Sequence, residues 1–211
     1  MMERLAMDVA GLAGQPGARA GALMDSSDEL IAKACSGDEE AFRLIFERYA
    51  RPILSFIYDM VDRRELAEEL AQETFVRAFR GLDALKSSAK LSTWLFGIAR
   101  NVALEALRSR RKEAGQRRLD ETEVLEMNDR RASPVDQLLD KELQSVMRRA
   151  LAALDEDKRL VFTLKVFQQR SYEEIAEITG FSIAKLKTDL HRARIEMRRR
   201  LSPYLGVSHE V

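Results

Sequence analysis

The chain has 211 residues, 33% of them charged and 45% apolar, which suits one or two folded domains and excludes a low-complexity polymer. Its 35 Lys and Arg balance 35 Asp and Glu, so an anion-seeking surface must come from segregation along the chain. One cysteine, Cys35, and two histidines, His191 and His209, exclude an internal disulfide and a cysteine-based zinc cage, and no metal or cofactor is expected.

Residues 1–24 are rich in Ala and Gly, carry a Gln15-Pro16-Gly17 break and lack sustained periodicity. A disordered, dispensable leader is expected there. The N-terminus lacks the basic start and apolar segment of a signal peptide, and no apolar run reaches the ~18 residues of a membrane span. A cytoplasmic location is expected.

A short helix is predicted from Ser27 to Ser36, ending at Gly37; Cys35 reads as a small apolar packing residue on it. A second helix is predicted from Asp38, with Phe42, Ile45, Phe46, Tyr49, Ile53, Phe56, Ile57 and Met60 at helical spacing. Pro52 predicts a kink or break in it. A third is predicted to start at Asp62, with Glu65 completing a capping box, and to bury Leu66, Leu70, Phe75, Ala78 and Phe79. Residues 81–91 lose the pattern and read as a loop. A fourth helix, starting near Ser92 or Thr93, is predicted to bury Trp94, Leu95, Ile98, Val102 and Leu107. From 108 to 133 apolar residues are sparse, which marks a linker between domains. Ser133-Pro134 then predicts a helix with Pro in its first turn, carrying Leu139, Leu143, Val146, Met147, Ala150 and Leu154. Another follows Asp155. Nothing alternates with period two, so the expected class is all-α: two small helical domains joined by a flexible linker.

Local signals are densest from Ser171 to Arg200. Ser171 and Glu174 form the S-x-x-E capping box of one helix. Gly180 sits where that helix must stop, and Ser182 is an N-cap for the next. This is the pattern of a helix-turn-helix, whose second helix enters the DNA major groove. At about 100° per residue, Leu186, Leu190, Ala193, Met197 and Leu201 form its core stripe. Thr188, His191, Arg192 and Arg199 lie opposite, flanked by Lys185 and Lys187. Seven Lys or Arg face two acids between Lys185 and Arg200, a balance suited to phosphate and base-edge contact. Two other segments are polarised. Residues 108–118 hold six basic residues and one acid, and residues 62–73 hold five acids and two arginines.

Three segments in register resemble the bacterial sigma factors of the extracytoplasmic-function group, the smallest sigma factors, with two folded domains and a linker. They are Ala67-Glu68-Glu69-Leu70-Ala71-Gln72-Glu73-Thr74-Phe75-Val76-Arg77-Ala78-Phe79, Thr93-Trp94-Leu95-Phe96-Gly97-Ile98-Ala99-Arg100-Asn101-Val102-Ala103, and the stretch from Leu154 through Arg194. The resemblance spans about 28–203. It implies a region 2-like domain over 25–107, a linker over 108–133, a region 4-like helix-turn-helix domain over 134–205 and a tail over 206–211.

The resemblance further implies a role for each segment. Glu65, Glu68, Glu69, Gln72 and Glu73 are expected to grip the clamp of core RNA polymerase. Lys86, Ser87, Ser88 and Lys90, on the loop that captures a flipped base in the family, are expected at the −10 element with Arg100 and Asn101. Lys185, Lys187, Thr188, His191, Arg192 and Arg194 are expected at the −35 element, with Arg194, Arg198 and Arg199 holding phosphate. Arg108, Arg110, Arg111, Lys112, Arg117 and Arg118 extend the −10 helix as a basic strip. Trp94 falls on the apolar stripe and reads as core rather than as a base-stacking platform. An anti-sigma factor is the implied regulatory partner, beside core RNA polymerase and promoter DNA.

Lys185 stands where the family usually has Thr or a small residue, and Asp189 where Arg or another polar residue is common. Asp189 has two readings: a hydrogen-bond acceptor for cytosine N4, or a partner that orients Lys185 or Arg192. No catalytic constellation is present: there is no Walker loop, Gly-rich dinucleotide turn or Cys-His pair. Two rival functions stay open from the residues alone. One is a free-standing helix-turn-helix regulator of an operator. The other is an adaptor that binds polymerase without reading DNA.

Overall fold

The computed structural model describes residues 27–85, 90–117 and 136–204. The expected leader and tail, the loop residues Lys86, Ser87 and Ser88, Arg118, most of the expected linker and Ser133-Pro134 lie outside them. Eight α-helices and no strand occur among the described residues: α1 (Ser27–Cys35), α2 (Glu39–Val61), α3 (Arg64–Gly81), α4 (Leu91–Arg117), α5 (Asp136–Ala152), α6 (Glu156–Phe162), α7 (Tyr172–Thr179) and α8 (Ile183–Leu201).

Local chemistry accounts for most boundaries. Gly37 takes the left-handed turn after α1 (φ 89°). The Asp38 carboxylate then accepts from the Glu40 and Ala41 amides at 2.9 and 3.2 Å, capping α2. Cys35 is half-buried, and its thiol donates to the Leu82 carbonyl at 3.6 Å. Burial and then the Asp83 charge push its pKa up, which suits a packing role.

Four local expectations need correction or narrowing. First, of the kink or break expected at Pro52, the break is absent: α2 runs through the proline. The lost amide bond is outweighed by ten buried residues on both sides of the proline, among them Phe42, Ile45, Ile53, Phe56 and Ile57. Second, Asp62 does not open α3. It ends α2 in the left-handed conformation (φ 52°), donating its N–H to the Tyr58 carbonyl at 2.8 Å. Asp tolerates that conformation, and a two-residue connection leaves no room for a cap; Arg63 precedes α3 without a side-chain capping bond. Third, the buried face of α3 is Ala67, Ala71, Thr74, Phe75 and Ala78. Leu66 and Leu70 are only half-buried at its flank, and Phe79 is 38% exposed, with its ring edge-on to Phe42. Small residues let α3 approach α2 and α4 closely, and the Thr74 hydroxyl is satisfied by the Leu70 carbonyl at 2.8 Å. Fourth, helical structure continues ten residues beyond Leu107, to Arg117. Arg, Lys and Glu propagate helices without an apolar stripe, and the Arg111–Glu156 ion pair at 2.9 Å ties the extension to α6.

α6 starts at the Asp155 cap, which accepts from the Lys158 amide at 2.9 Å, and continues as a π-helical turn over Thr163–Phe167. The helix-turn-helix then forms as expected. Ser171 and Glu174 exchange both capping-box bonds, at 3.1 and 2.7 Å. Gly180 adopts φ 75° and donates to the Ala176 carbonyl. Ser182 caps α8 through the Lys185 amide at 3.3 Å.

The two halves of the chain share one apolar core, from Ile31 to Leu201. α7 packs on α4, while α5 and α6 pack on α2. The Arg170 guanidinium lies 4.4 Å from the centroid of the Phe96 ring. Lys90 pairs with Glu177 at 3.0 Å. Arg159 donates to the Met60 carbonyl at 2.8 Å and to the Ala152 and Leu154 carbonyls at 2.5 and 3.1 Å. Burial pulls its pKa down, while Asp62 and Glu156 pull it back up.

At the same junction, burial first and the Asp62 charge second push the Asp59 carboxyl up to about 7, against the pull of Arg148. A folded pKa above the unfolded value means that stability is fully present below about pH 4 and declines as pH rises to about 7. Asp59→Asn, which mimics the protonated acid, is therefore expected to raise stability at pH 8 and leave it unchanged at pH 4. Urea unfolding at the two values checks this; an equal effect at both removes Asp59 as the titrating group.

Candidate nucleic-acid interface

The structure distributes the expected site residues over three helices. On α3, Glu65, Glu68, Glu69 and Gln72 lie within about 100° of arc, opposite the buried Ala67, Thr74 and Ala78. Glu73 sits at the flank. Glu65 and Glu69 are exposed. Glu68 pairs with Arg64 at 3.1 Å and Glu73 with Arg77 at 2.8 Å. Arg77 also reaches Glu105 of α4 at 2.9 Å, fixing α3 against α4. The result is an anchored acidic face, chemically suited to a basic protein surface.

On α4, the packing separates core from surface. Trp94 is half-buried against the core, and its ring lies 3.6 Å from where a Cβ on Gly81 would stand. It packs against the core as expected, but it is half-buried rather than buried, as are Ile98 and Leu107; Leu95, Phe96, Ala99 and Val102 form the buried face. Asn101 is exposed and accepts from Arg100 at 3.1 Å. Arg100 is half-buried, and its Nε is buried without a partner. Lys90 is exposed but held by Glu177 of α7. Arg108, Arg110, Arg111 and Lys112 are exposed along the same helix.

α8 buries Leu186, Leu190, Ala193, Met197 and Leu201, and also Asp189. Lys187, Thr188, His191, Arg192 and Arg194 are all exposed. The Thr188 hydroxyl donates to the Ala184 carbonyl at 3.0 Å, which leaves its lone pairs outward. Ile195, 54% exposed, shares the face of Thr188 and Arg192, an apolar member that a search for basic residues passes over. Lys185 differs from its neighbours. Its ammonium lies 2.8 Å from Asp157 of α6, 2.5 Å from Asp189 and 4.2 Å from the Phe181 ring centroid. The bonds to Asp157 and then Asp189 raise its pKa. Asp189 is 8% exposed and engaged with Lys185. Of the two readings of Asp189, the geometry selects the one that orients Lys185. Asp157 has no counterpart in the sequence reading, because the contact joins residues 28 apart on different helices.

Among the described residues, no group of His, Cys, Asp and Glu is arranged to hold a metal ion. No helix there is long and apolar enough to cross a membrane.

Comparison with known proteins adds to this geometry. Residues 45–113 match Sigma-70 region 2, and residues 145–197 match Sigma-70 region 4. The chain is 32% identical over 162 residues to RNA polymerase sigma factor YlaC of Bacillus subtilis (strain 168), covering 75% of this chain and 90% of that protein. It is 30% identical over 176 residues to ECF RNA polymerase sigma factor SigW of the same organism, covering 81% and 94%. In fold, it is similar to CnrH, solved in complex with the cytosolic domain of CnrY (TM-score 0.64, 23% identity, 85% of this chain and 99% of that one). It is also similar to the sigma factor RpoE, solved with the anti-sigma factor NepR from Bartonella quintana (TM-score 0.63, 24% identity, 76% and 96%).

Proposed function

The chain belongs to the extracytoplasmic-function group of bacterial RNA polymerase sigma factors, and we propose how its surfaces divide the work of promoter-specific initiation. α3 docks on core RNA polymerase through Glu65, Glu68, Glu69, Gln72 and Glu73. The 86–90 loop, with Arg100 and Asn101, takes the −10 element as it melts. α8 reads the −35 element. The working units are 25–107 and 134–205, with the helical strip 108–117 continuing the first toward the residues that join them, and the place of action is the cytoplasm. The protein acts as a specificity subunit without catalysis of its own. An anti-sigma factor is the proposed regulatory partner, in keeping with the anti-sigma factor NepR bound to the similar sigma factor RpoE.

The observation that carries the DNA assignment is the face of α8. Its core stripe is fully engaged, while exposed Lys187, Arg192 and Arg194 stand opposite or beside it. Exposed cations without a side-chain ion pair on a helix-turn-helix second helix suit phosphate and base-edge contact. A free-standing operator-binding regulator is not favoured, because it leaves α3 and α4 without a task.

The test is transcription by purified core polymerase from a random promoter library, with and without the protein. Transcripts sharing two spaced elements are expected only with the protein. Failure to bind core polymerase would sink the assignment. Within that assay, Arg192→Ala is expected to weaken −35 binding by about 1–3 kcal/mol through loss of a base contact. Competition with scrambled duplex checks this; equal loss on both duplexes leaves phosphate anchoring alone.

A further inference from the structure

We propose that Lys185 is a positioning residue for −35 readout and not a DNA contact: clamped between Asp157 and Asp189, it occupies the Asp189 carboxylate that would otherwise capture Arg192. The proposal rests on the reading of α8 as the −35 helix.

The geometry of the clamp leads to this role. A lysine ammonium has three donors. Two go to the carboxylates of Asp157 and Asp189, and the ammonium also sits over the Phe181 ring. Little donor capacity remains for a phosphate. Summed over Lys185, Asp157 and Asp189, the local charge is also negative, which disfavours a phosphate at that point. Lys185 is therefore unlike Lys187, which lies 5.8 Å from the Tyr172 ring centroid near Glu173 without an ion pair to it, and unlike Arg194, which is exposed.

Asp189 explains why such a clamp is needed. It lies four residues after Lys185 and three before Arg192, and both spacings bring side chains together on a helix. A buried carboxylate needs a cationic or hydrogen-bonding partner, because an uncompensated one is costly. With Lys185 removed, the nearest cation on the next turn is Arg192. Pairing with Asp189 would draw that guanidinium off the face it shares with Thr188 and His191. Asp157 acts one step back, by holding the ammonium from α6. The adjacent Lys158 makes a second rung, to Glu196 at 2.5 Å. Two neighbouring residues of α6 thus grip α8 eleven positions apart, about 16 Å along its axis, and fix the helix on which the contacts stand.

The test uses the full-length chain with core polymerase and a promoter library that is randomised at −35 and fixed at −10. Lys185→Met is expected to reduce base discrimination about tenfold, at the same position that Arg192→Ala affects. Adding Asp189→Asn to Lys185→Met removes the competing carboxylate and is expected to restore discrimination to within about threefold of the parent. A uniform loss over all sequences, a salt dependence of binding reduced by about one phosphate contact, and no rescue by Asp189→Asn would make Lys185 a phosphate contact and overturn the proposal. Unchanged discrimination in Lys185→Met would overturn it as well. If Arg192→Ala leaves −35 preference intact, Arg192 anchors phosphate and reads no base, and the proposal falls while the reading of α8 as the −35 helix stands. Should Lys185→Met fail to fold, the same comparison runs on Asp157→Asn with and without Asp189→Asn. Asp157 has a half-exposed side chain; a loss of about threefold, relieved in the double variant, is then expected, and no loss counts against the clamp.

Discussion

Phe96→Ala is expected to destabilise the protein by about 3–5 kcal/mol, the range for deleting a buried aromatic ring. Phe96 is fully buried and lies edge-on to Phe56, with ring centroids 5.5 Å apart. It loses transfer free energy, the contact with Phe56 and the surface on which the Arg170 guanidinium rests. Arg170 is also paired with Glu174, so the change reaches the first helix of the helix-turn-helix from a residue on α4. Urea unfolding gives the magnitude. A loss below about 1 kcal/mol would mean that the site refills and that Phe96 does not join the halves. Phe96→Leu keeps most of the apolar volume but no π face, so it should retain packing and still release Arg170.

Arg159→Ala is expected to have the next largest effect, about 2–4 kcal/mol, from removing a charged donor that serves several acceptors in a half-buried network. One guanidinium serves three carbonyls: Ala152 at the end of α5, Leu154 in the turn to α6, and Met60 in the last turn of α2. Its removal leaves these acceptors without that donor and deprives Asp62 of a neighbouring positive charge. Lysine cannot reproduce a planar fork with several fixed donors, so Arg159→Lys should recover less than half of the loss. The accompanying readout is molecular size by small-angle X-ray scattering. Expansion with retained helical content is expected; unchanged stability and unchanged size would show that the apolar contacts alone hold α2 to α5 and α6.

The helix-turn-helix was legible because its signals are local. The Ser171–Glu174 box, Gly180 and Ser182 each act within four residues, and each forms the bond that its type predicts. The exposed face of α8 followed from the same periodicity. The start of α3 was misread because aspartate serves two kinds of helix end: it caps an N-terminus, and it also tolerates the left-handed residue after a C-terminus. At Asp62 only the brevity of the connection decides between them. The rotation of α3 was hidden because large residues dominate a periodicity count, whereas close helix packing selected Ala67, Ala71 and Ala78. Contacts such as Arg159 with Met60, 99 residues apart, and Lys185 with Asp157 carry no local signal at all. Long polar side chains look alike in sequence whether they meet solvent or a distant helix.

The packing of α7 on α4 sets a conformational threshold for promoter engagement. On the proposed reading, the names of the two promoter elements place them about 25 base pairs apart, roughly 85 Å along duplex DNA. Two elements in direct contact cannot serve both ends of such a span. The 18 residues between Arg117 and Asp136 can reach at most about 60 Å, enough to let the halves separate without losing one another. Apparent promoter affinity is then the intrinsic affinity scaled by the fraction of molecules already open. Each 1.4 kcal/mol by which the junction favours the packed form lowers that affinity about tenfold. A variant that weakens the Arg159 or Arg170 contacts should therefore be less stable in isolation and yet engage a promoter at lower concentration.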